Sequence, residues 1–149
     1  MNVNGKNVQI STGLDALSAI DTGTTLIGGP TDGVQAIYAA VPGSVALTGQ
    51  MEGFFAYRGY PPYFDSVVTN NSITACSTSV SVSLSFGGQA WPISTEDMNL
   101  GTVGGDLCLG GIFDLGLGSN IGSGGGNPSW VVGDTFLVRY RSQISVLRI

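Results

Sequence analysis

Hydrophobic and polar residues alternate most regularly over Ser79–Phe86, where valine, leucine and phenylalanine are separated by serines. A period of two places successive side chains on opposite faces of an extended chain, so this pattern predicts a strand with one buried face. The Gly-Gly pair that follows turns the chain back into a second predicted strand over Gln89–Ile93. Near the start of the chain, the Asn-Gly pair inside Val3–Val8 predicts a tight hairpin, and Leu14–Ile20 is interpreted as a strand.

The spacing of apolar residues changes over Thr31–Val41, which predicts a short helix there. Its apolar positions follow i, i+3, i+4 and i+7 and place one hydrophobic face along the helix: Val34, Ile37, Tyr38 and Val41. A proline precedes the segment and a Pro-Gly pair follows its end, which suits the first turn and the termination of a helix. The predicted fold class is all-β with short helices, because strand patterns and turn residues dominate the rest of the chain.

Composition narrows the possible functions. The chain has 149 residues, 24 of them glycine, with 10% charged residues, a net charge of −5 and no histidine. This acidic chain offers no basic patch to meet phosphates, so we expect no nucleic-acid partner. The absence of histidine and of a cysteine cluster predicts no metal site and no cofactor. No apolar run approaches the ~20 residues of a membrane-spanning helix, so no membrane partner is expected.

The chemically most informative segment is Asp-Thr-Gly-Thr-Thr at residues 21–25, directly after the apolar pair Ala19-Ile20. A carboxylate followed by a hydroxyl residue and glycine at the end of a strand predicts a tight turn that holds the acid rigidly. Such a turn lets another backbone approach closely, which suits acid–base chemistry. Taken alone, Asp21 is equally compatible with a structural role in the turn.

The longer segment 19–30, Ala-Ile-Asp-Thr-Gly-Thr-Thr-Leu-Ile-Gly-Gly-Pro, resembles the active-site turn in the second lobe of pepsin-like aspartic peptidases, especially secreted fungal ones. Trp130–Leu137 resembles the hydrophobic-hydrophobic-Gly segment that passes beneath this turn in the family. Cys76 and Cys108 stand where that lobe has its disulfide. The resemblance therefore implies that residues 1–137 form the C-terminal lobe of a two-lobed, all-β acid protease fold.

The resemblance also implies a role for each residue of the turn. Asp21 is one of two catalytic carboxylates, and Thr22 makes a hydrogen bond across the two lobes. Gly23 allows the substrate backbone to approach, Thr24 orients the carboxylate by a hydrogen bond, and Thr25 lines the cleft.

Four further residues take structural roles by the same resemblance. Val132 and Gly133 support the turn from below, and Cys76 pairs with Cys108. Without the resemblance, two cysteines 32 positions apart leave the pairing open. A disulfide implies an oxidising compartment, so we expect the full-length parent to be secreted, although the residues after Met1 do not have the pattern of a signal peptide.

The implied function is an aspartic endopeptidase that acts on polypeptides and is present here as one lobe. No second Asp-Thr-Gly or Asp-Ser-Gly occurs in the sequence, so we expect the other lobe to carry the second acid and this chain to be inactive alone. Two alternatives are a homodimer that pairs two copies of Asp21, and a binding module without catalysis. The remaining acids in loop-like stretches are predicted to be solvated surface residues: Glu96, Asp97, Asp106 and Asp114. Asp134 is predicted to be structural.

Two segments depart from the resemblance, and we interpret both as translated introns. Arg58–Ala75 interrupts a run that in related chains passes through a proline directly into Cys76. Codons for Arg58 and for Thr74-Ala75 can supply the GT and AG that begin and end an intron. Excision between them keeps the reading frame and would restore the proline directly before Cys76. Val138–Ile149 replaces the closing strands of the lobe, and its first codons can form a second splice donor. The alternative is a natural loop insertion followed by a divergent tail.

Overall fold

The structure, a computed structural model, describes residues 1–59, 76, 78–119 and 127–144. Within these ranges the chain forms three four-stranded sheets and three short α-helices, which confirms the predicted all-β class. The strands are β1 Asn2–Val3, β2 Lys6–Asn7, β3 Ser18–Ile20, β4 Ile27–Gly29, β5 Val45–Ala46, β6 Phe55–Arg58, β7 Val82–Ser85, β8 Ala90–Ile93, β9 Asn99–Gly104, β10 Leu107–Gly110, β11 Ile112–Asp114 and β12 Trp130–Val132. The α-helices are α1 Thr31–Ala39, α2 Leu115–Gly118 and α3 Asp134–Ile144, and Gly13–Ala16 and Gly49–Met51 form 3-10 turns.

The first sheet, in the order β2-β1-β7-β8, contains both predicted hairpins. Asn4 and Gly5 have φ angles of 49° and 78°, the left-handed pair that a two-residue hairpin turn requires. Val80, just before β7, is buried, and so are Val82 and Leu84 within the strand, as the alternation predicts. Phe86 does not continue that buried face and is 46% exposed, because the β7–β8 ladder ends at Ser85 and Phe86 lies at the hairpin tip.

The second sheet, in the order β5-β6-β10-β9, carries the disulfide. Cys76 and Cys108 are bonded with their Cα atoms 5.5 Å apart, inside the usual ~4.4–6.8 Å window, which confirms the predicted pairing. Cys108 lies in β10 opposite Tyr57 of β6, so the disulfide joins Cys76 to the centre of this sheet. The segment interpreted as an insertion begins at the last residue of β6, and its residues 60–75 lie outside the described part of the chain.

The helix α1 confirms the helix predicted over residues 31–41, although it ends at Ala39. The four apolar residues of the predicted face are all buried. Its Tyr38 stacks on Phe55 with ring centroids 4.5 Å apart and donates a hydrogen bond from its hydroxyl to the Ile112 carbonyl at 2.8 Å. A side chain at Gly110 would collide with the Tyr38 ring, since an added Cβ would lie 2.8 Å from Cζ. The helix is therefore fixed against both the second and the third sheet.

The third sheet, in the order β11-β4-β12-β3, combines parallel and antiparallel pairs. β12 lies between β3, to which it is parallel, and β4, to which it is antiparallel. The prediction of a strand over Leu14–Ile20 is wrong in its first half, because Gly13–Ala16 forms a 3-10 turn. The partner strand β12 begins only at Trp130, whose N–H donates to the Leu17 carbonyl, so its ladder with β3 reaches no further back than Leu17.

The helix α3 crosses the predicted boundary between residues 137 and 138. Phe136 and Leu137 on the near side are buried, and the helix continues without a break to Ile144. Residues 138–144 are therefore helical and stand in place of the closing strands that the family resemblance implies at this point, and residues 145–149 lie outside the described part. The origin of this tail as a translated intron stays a prediction.

Candidate active site

Asp21 lies at the end of β3, where the third sheet opens into a turn. Its backbone N–H donates to the Val132 carbonyl at 3.0 Å, so the sheet pairing of β3 with β12 extends one residue to hold Asp21 itself. The turn closes by a longer bond of 3.4 Å from the Thr24 N–H to the Asp21 carbonyl. The predicted contact between the Asp21 turn and residues 131–133 is present.

The carboxylate of Asp21 receives one hydrogen bond on each oxygen. The Gly23 N–H donates to Oδ1 at 2.8 Å, and the Thr24 hydroxyl donates to Oδ2 at 2.5 Å. These donors lower the pKa of Asp21 below its usual 3.8, with the Thr24 hydroxyl contributing most and the Gly23 N–H next. The residue is only partly buried, so the remaining lone pairs of both oxygens stay accessible from the solvent side.

The other residues of the turn line its outer surface. Thr22, Gly23 and Thr25 are exposed beside Asp21, whereas Thr24 is half-buried because its hydroxyl points back to the carboxylate. The cross-lobe bond of Thr22 and the cleft contact of Thr25 need a second lobe, so both stay predictions. The Thr24 contact is the one predicted side-chain interaction that a single lobe can contain, and it is present.

Gly133 supports the turn from below by very close backbone contact. Its N–H donates to the Leu26 carbonyl at 3.1 Å. An added Cβ would lie 2.8 Å from the Thr24 carbonyl carbon and nearer still to the Thr24 and Leu26 carbonyl oxygens. All of these atoms belong to the backbone and cannot swing away, so this position has no room for a side chain.

The start of α3 holds the other side of the turn, a contact that the sequence reasoning missed. The Asp134 N–H donates to the Thr24 carbonyl at 2.8 Å, and the Thr135 N–H donates to the Thr25 carbonyl at 2.7 Å. The Thr135 hydroxyl donates to the same Thr25 carbonyl at 3.0 Å. The first N–H groups of a helix have no partner inside the helix, and here they are satisfied by the turn. The sequence feature that could have indicated this contact is Thr135, a hydroxyl residue in the first turn of the helix after Gly133.

One predicted surface acid is not on the surface. Asp114 is only 1% exposed, and its Oδ1 accepts hydrogen bonds from the Gly116 and Leu117 N–H groups at 2.8 and 3.3 Å, which caps α2. The prediction of a solvated residue is wrong here because an aspartate that begins a short helix can bury its carboxylate against the free N–H groups.

The three other acids in this group form ion pairs. Asp106 pairs with Arg58 at 2.8 Å, and both Glu96 and Asp97 pair with Arg139, at 3.1 and 2.9 Å. Among the described residues no group of three or more His, Cys, Asp or Glu side chains is placed to hold a metal ion. No helix in the described ranges has the length and apolar character to cross a membrane.

The order of these parts along the chain matches a known family. The profile of the eukaryotic aspartyl protease family matches residues 1–144. The chain belongs to this family. An aspartic protease of Phaffia rhodozyma is 38% identical to this aspartyl protease chain over 139 residues, covering 92% of the chain and 28% of the relative. Major aspartyl peptidase 1 of Cryptococcus neoformans var. grubii is 36% identical over 143 residues, with 92% and 25% covered.

More distant similarities agree with this assignment. Human cathepsin D is 29% identical over 123 residues, covering 81% of this aspartyl protease chain and 24% of its own length. The crystal structure of conglutin gamma, a 7S globulin from lupine seeds, superposes with a TM-score of 0.52 at 18% identity and covers 91% of the chain and 31% of the globulin. That superposition supports the fold alone. The chain spans about a quarter of the length of the curated relatives that it matches.

Proposed function

We propose that this chain supplies one half of the catalytic centre of an aspartic endopeptidase, with Asp21 as one of its two catalytic carboxylates. The observation that carries the proposal is the way Asp21 is held. Its backbone is bonded to β12, each carboxylate oxygen accepts one hydrogen bond, and the residue is only partly buried. A merely structural aspartate in a turn needs the inner contacts but has no need of an accessible outer face.

The chemistry follows from two such carboxylates facing each other across a water. The ionised carboxylate accepts a proton from the water, and the protonated one donates to the oxygen of the scissile carbonyl. Two like charges held this close cannot both ionise easily, so the two pKa values split, as is general among aspartic proteases. The donors from Gly23 and Thr24 favour the ionised form of Asp21, which suits a carboxylate that accepts the proton of the water.

The proposal assigns the second carboxylate to another lobe, which we propose as the physical partner of this chain. Thr22 then bonds across the two turns, and Gly23 and Thr25 meet the polypeptide substrate. The Cys76–Cys108 disulfide supports synthesis in an oxidising compartment, which agrees with a secreted or otherwise exported protease.

The test is to pair this chain with the N-terminal lobe of a fungal relative and to measure cleavage of an acid-denatured protein. We expect hydrolysis by the paired lobes and none by this chain alone, because one chain offers one such turn. Asp21→Asn should abolish the activity of the paired protein, since a neutral amide cannot accept the proton of the water. Asp32→Asn is the matched control, because Asp32 is an exposed acid in the first turn of α1.

Two results would contradict the proposal in different ways. Hydrolysis that survives Asp21→Asn in the paired protein would remove Asp21 from the catalytic centre. Hydrolysis by this chain alone that needs Asp21 and falls steeply on dilution would favour the homodimer, because dissociation removes the second carboxylate.

A further inference from the structure

The helix α3 connects two distant parts of the lobe. Its first two N–H groups hold the carbonyls of Thr24 and Thr25, as described above. Its first two turns pack on the first sheet, with Phe136 against Phe86 at the β7–β8 hairpin tip and Tyr140 against Trp91 of β8. The helix has 11 residues, and isolated helices shorter than about 12–15 residues are marginal in water. The position of its N–H groups therefore depends on the packing that holds the helix in place.

Tyr140 makes the most specific contacts between the helix and the first sheet. Its hydroxyl donates to the Pro92 carbonyl of β8 at 2.6 Å. Its ring stands edge-on to Trp91, also in β8, with centroids 5.2 Å apart, and lies 4.8 Å from the ring of Phe136 one turn earlier. Aromatic pairs of this kind stabilise the packing beyond the area they bury. The carbonyl of Pro92 and the ring of Trp91 thus fix both the direction and the rotation of α3.

The neighbouring Arg139 makes a weaker contact of the same kind. Its guanidinium donates to Asp97 at 2.9 Å and to Glu96 at 3.1 Å. Half of the arginine side chain and most of the glutamate side chain are exposed, so solvent screens these pairs. Phe136 and Leu137 anchor the first turn of α3 in the core, and beyond that turn we assign the main anchoring contact among the described side chains to Tyr140.

We propose that Tyr140 is a positioning residue for the Asp21 turn, acting through α3 from β8. Tyr140 lies six positions after Asp134, which is about 9 Å along a helix axis, and the intervening backbone is helical throughout. Loss of the Tyr140 contacts frees α3 beyond its first turn, and the N–H groups at its N-terminus then hold Thr24 and Thr25 less firmly. The proposal rests on the proposed function only in calling that turn catalytic.

The test is amide hydrogen exchange in the full chain, with Tyr140→Ala compared with wild type. The Asp134 and Thr135 amides should lose protection by about tenfold more than the Val82 amide of β7, because the loss is local to α3. Val41→Ala is the matched control: Val41 is a buried residue after the end of α1, and its truncation should lower protection of all three amides by a similar factor. A second readout is the pKa of Asp21, which should rise towards its usual value in Tyr140→Ala and stay unchanged in Val41→Ala.

Tyr140→Phe separates the hydroxyl from the ring and keeps the test decisive if Tyr140→Ala does not fold. It should lower protection of the Asp134 and Thr135 amides relative to Val82 by a few-fold, since only the bond to Pro92 is lost. Equal protection ratios in wild type and in the variants that fold would overturn the proposal and leave Tyr140 a purely structural residue. Neither readout requires hydrolysis, so the proposal stands or fails separately from the assembly of an active protease.

Discussion

Replacing Gly133 with alanine is the sharpest test of how the Asp21 turn is held. The φ angle of Gly133 is not in the left-handed region, so the substitution adds no backbone strain of that kind. At such positions Gly→Ala usually stabilises a protein by about 0.4–1 kcal/mol, because the unfolded chain loses freedom. Backbone conformation alone therefore predicts that Gly133→Ala raises stability. The close tertiary contacts of Gly133 predict a loss of stability instead.

The expected loss follows from the atoms that the new methyl group meets. They are the Thr24 and Leu26 carbonyl groups, which lie where the turn leads into β4. Overpacking of this kind costs about 1–3 kcal/mol. Separation of the backbones also weakens three N–H bonds to the turn, from Gly133, Asp134 and Thr135, each contributing about 0.5–1.5 kcal/mol. We expect a net loss of roughly 2–5 kcal/mol, or a fall in Tm of about 4–20 °C for a chain of this size.

The assay is denaturant unfolding of the purified chain followed by circular dichroism, with Gly88→Ala as the control. Gly88 lies at the tip of the β7–β8 hairpin, has no atom within 4 Å of an added Cβ, and also lacks a left-handed φ. Gly88→Ala should therefore leave stability unchanged or raise it slightly. If Gly133→Ala were as stable as Gly88→Ala, the close contact between Gly133 and the turn would not exist in solution.

Three further variants test other parts of the structure. Thr24→Val should raise the pKa of Asp21 towards 3.8 in a carbon-13 NMR titration, since it removes the strongest donor to the carboxylate, and an unchanged pKa would contradict this. A depressed Asp pKa stabilises the fold above the unfolded value of about 3.9, so the Thr24→Val variant should lose less stability than wild type as pH falls below that value. Cys76→Ser should cost roughly 3–4 kcal/mol in urea unfolding, as the chain-entropy model gives for a 32-residue loop, and equal midpoints with and without the disulfide would rule this out. Deletion of Arg58–Thr74 combined with Ala75→Pro should maintain or raise Tm. The losses are confined to the end of β6, namely the exposed Arg58–Asp106 ion pair, worth about 0–1 kcal/mol, and the bond from the Gly59 N–H to the Asp106 carbonyl. A large fall in Tm would identify the segment as a true structural element.

Local chemistry in the sequence was enough to predict several elements. The helix α1 follows from apolar spacing over four positions, and all four are buried. The Asn-Gly hairpin follows from the left-handed φ angles that these two residues tolerate. The Thr24 contact to Asp21 spans three positions in the chain, so it too is a local event. Interactions between near neighbours depend little on where the rest of the chain lies.

The family resemblance reached further than the local patterns. It placed Gly133 beneath the turn and paired Cys76 with Cys108. Composition and periodicity could not predict these two long-range contacts. The reason is that contacts between distant residues depend on the tertiary arrangement, which a motif shared with known proteins carries implicitly.

Only the tertiary structure decided the remaining features. The strand before Asp21 is short because its partner β12 begins at Trp130, a limit set by another part of the chain. Asp114 is buried because it lies at the end of β11 and caps α2 there, whereas its sequence surroundings indicate a loop. The contacts of α3 also depend on the tertiary structure. Thr135 can bond the turn and Tyr140 can bond β8 only because the helix lies between them. Burial and hydrogen bonding at such positions depend on which backbone segment lies opposite, and no local sequence pattern specifies that segment.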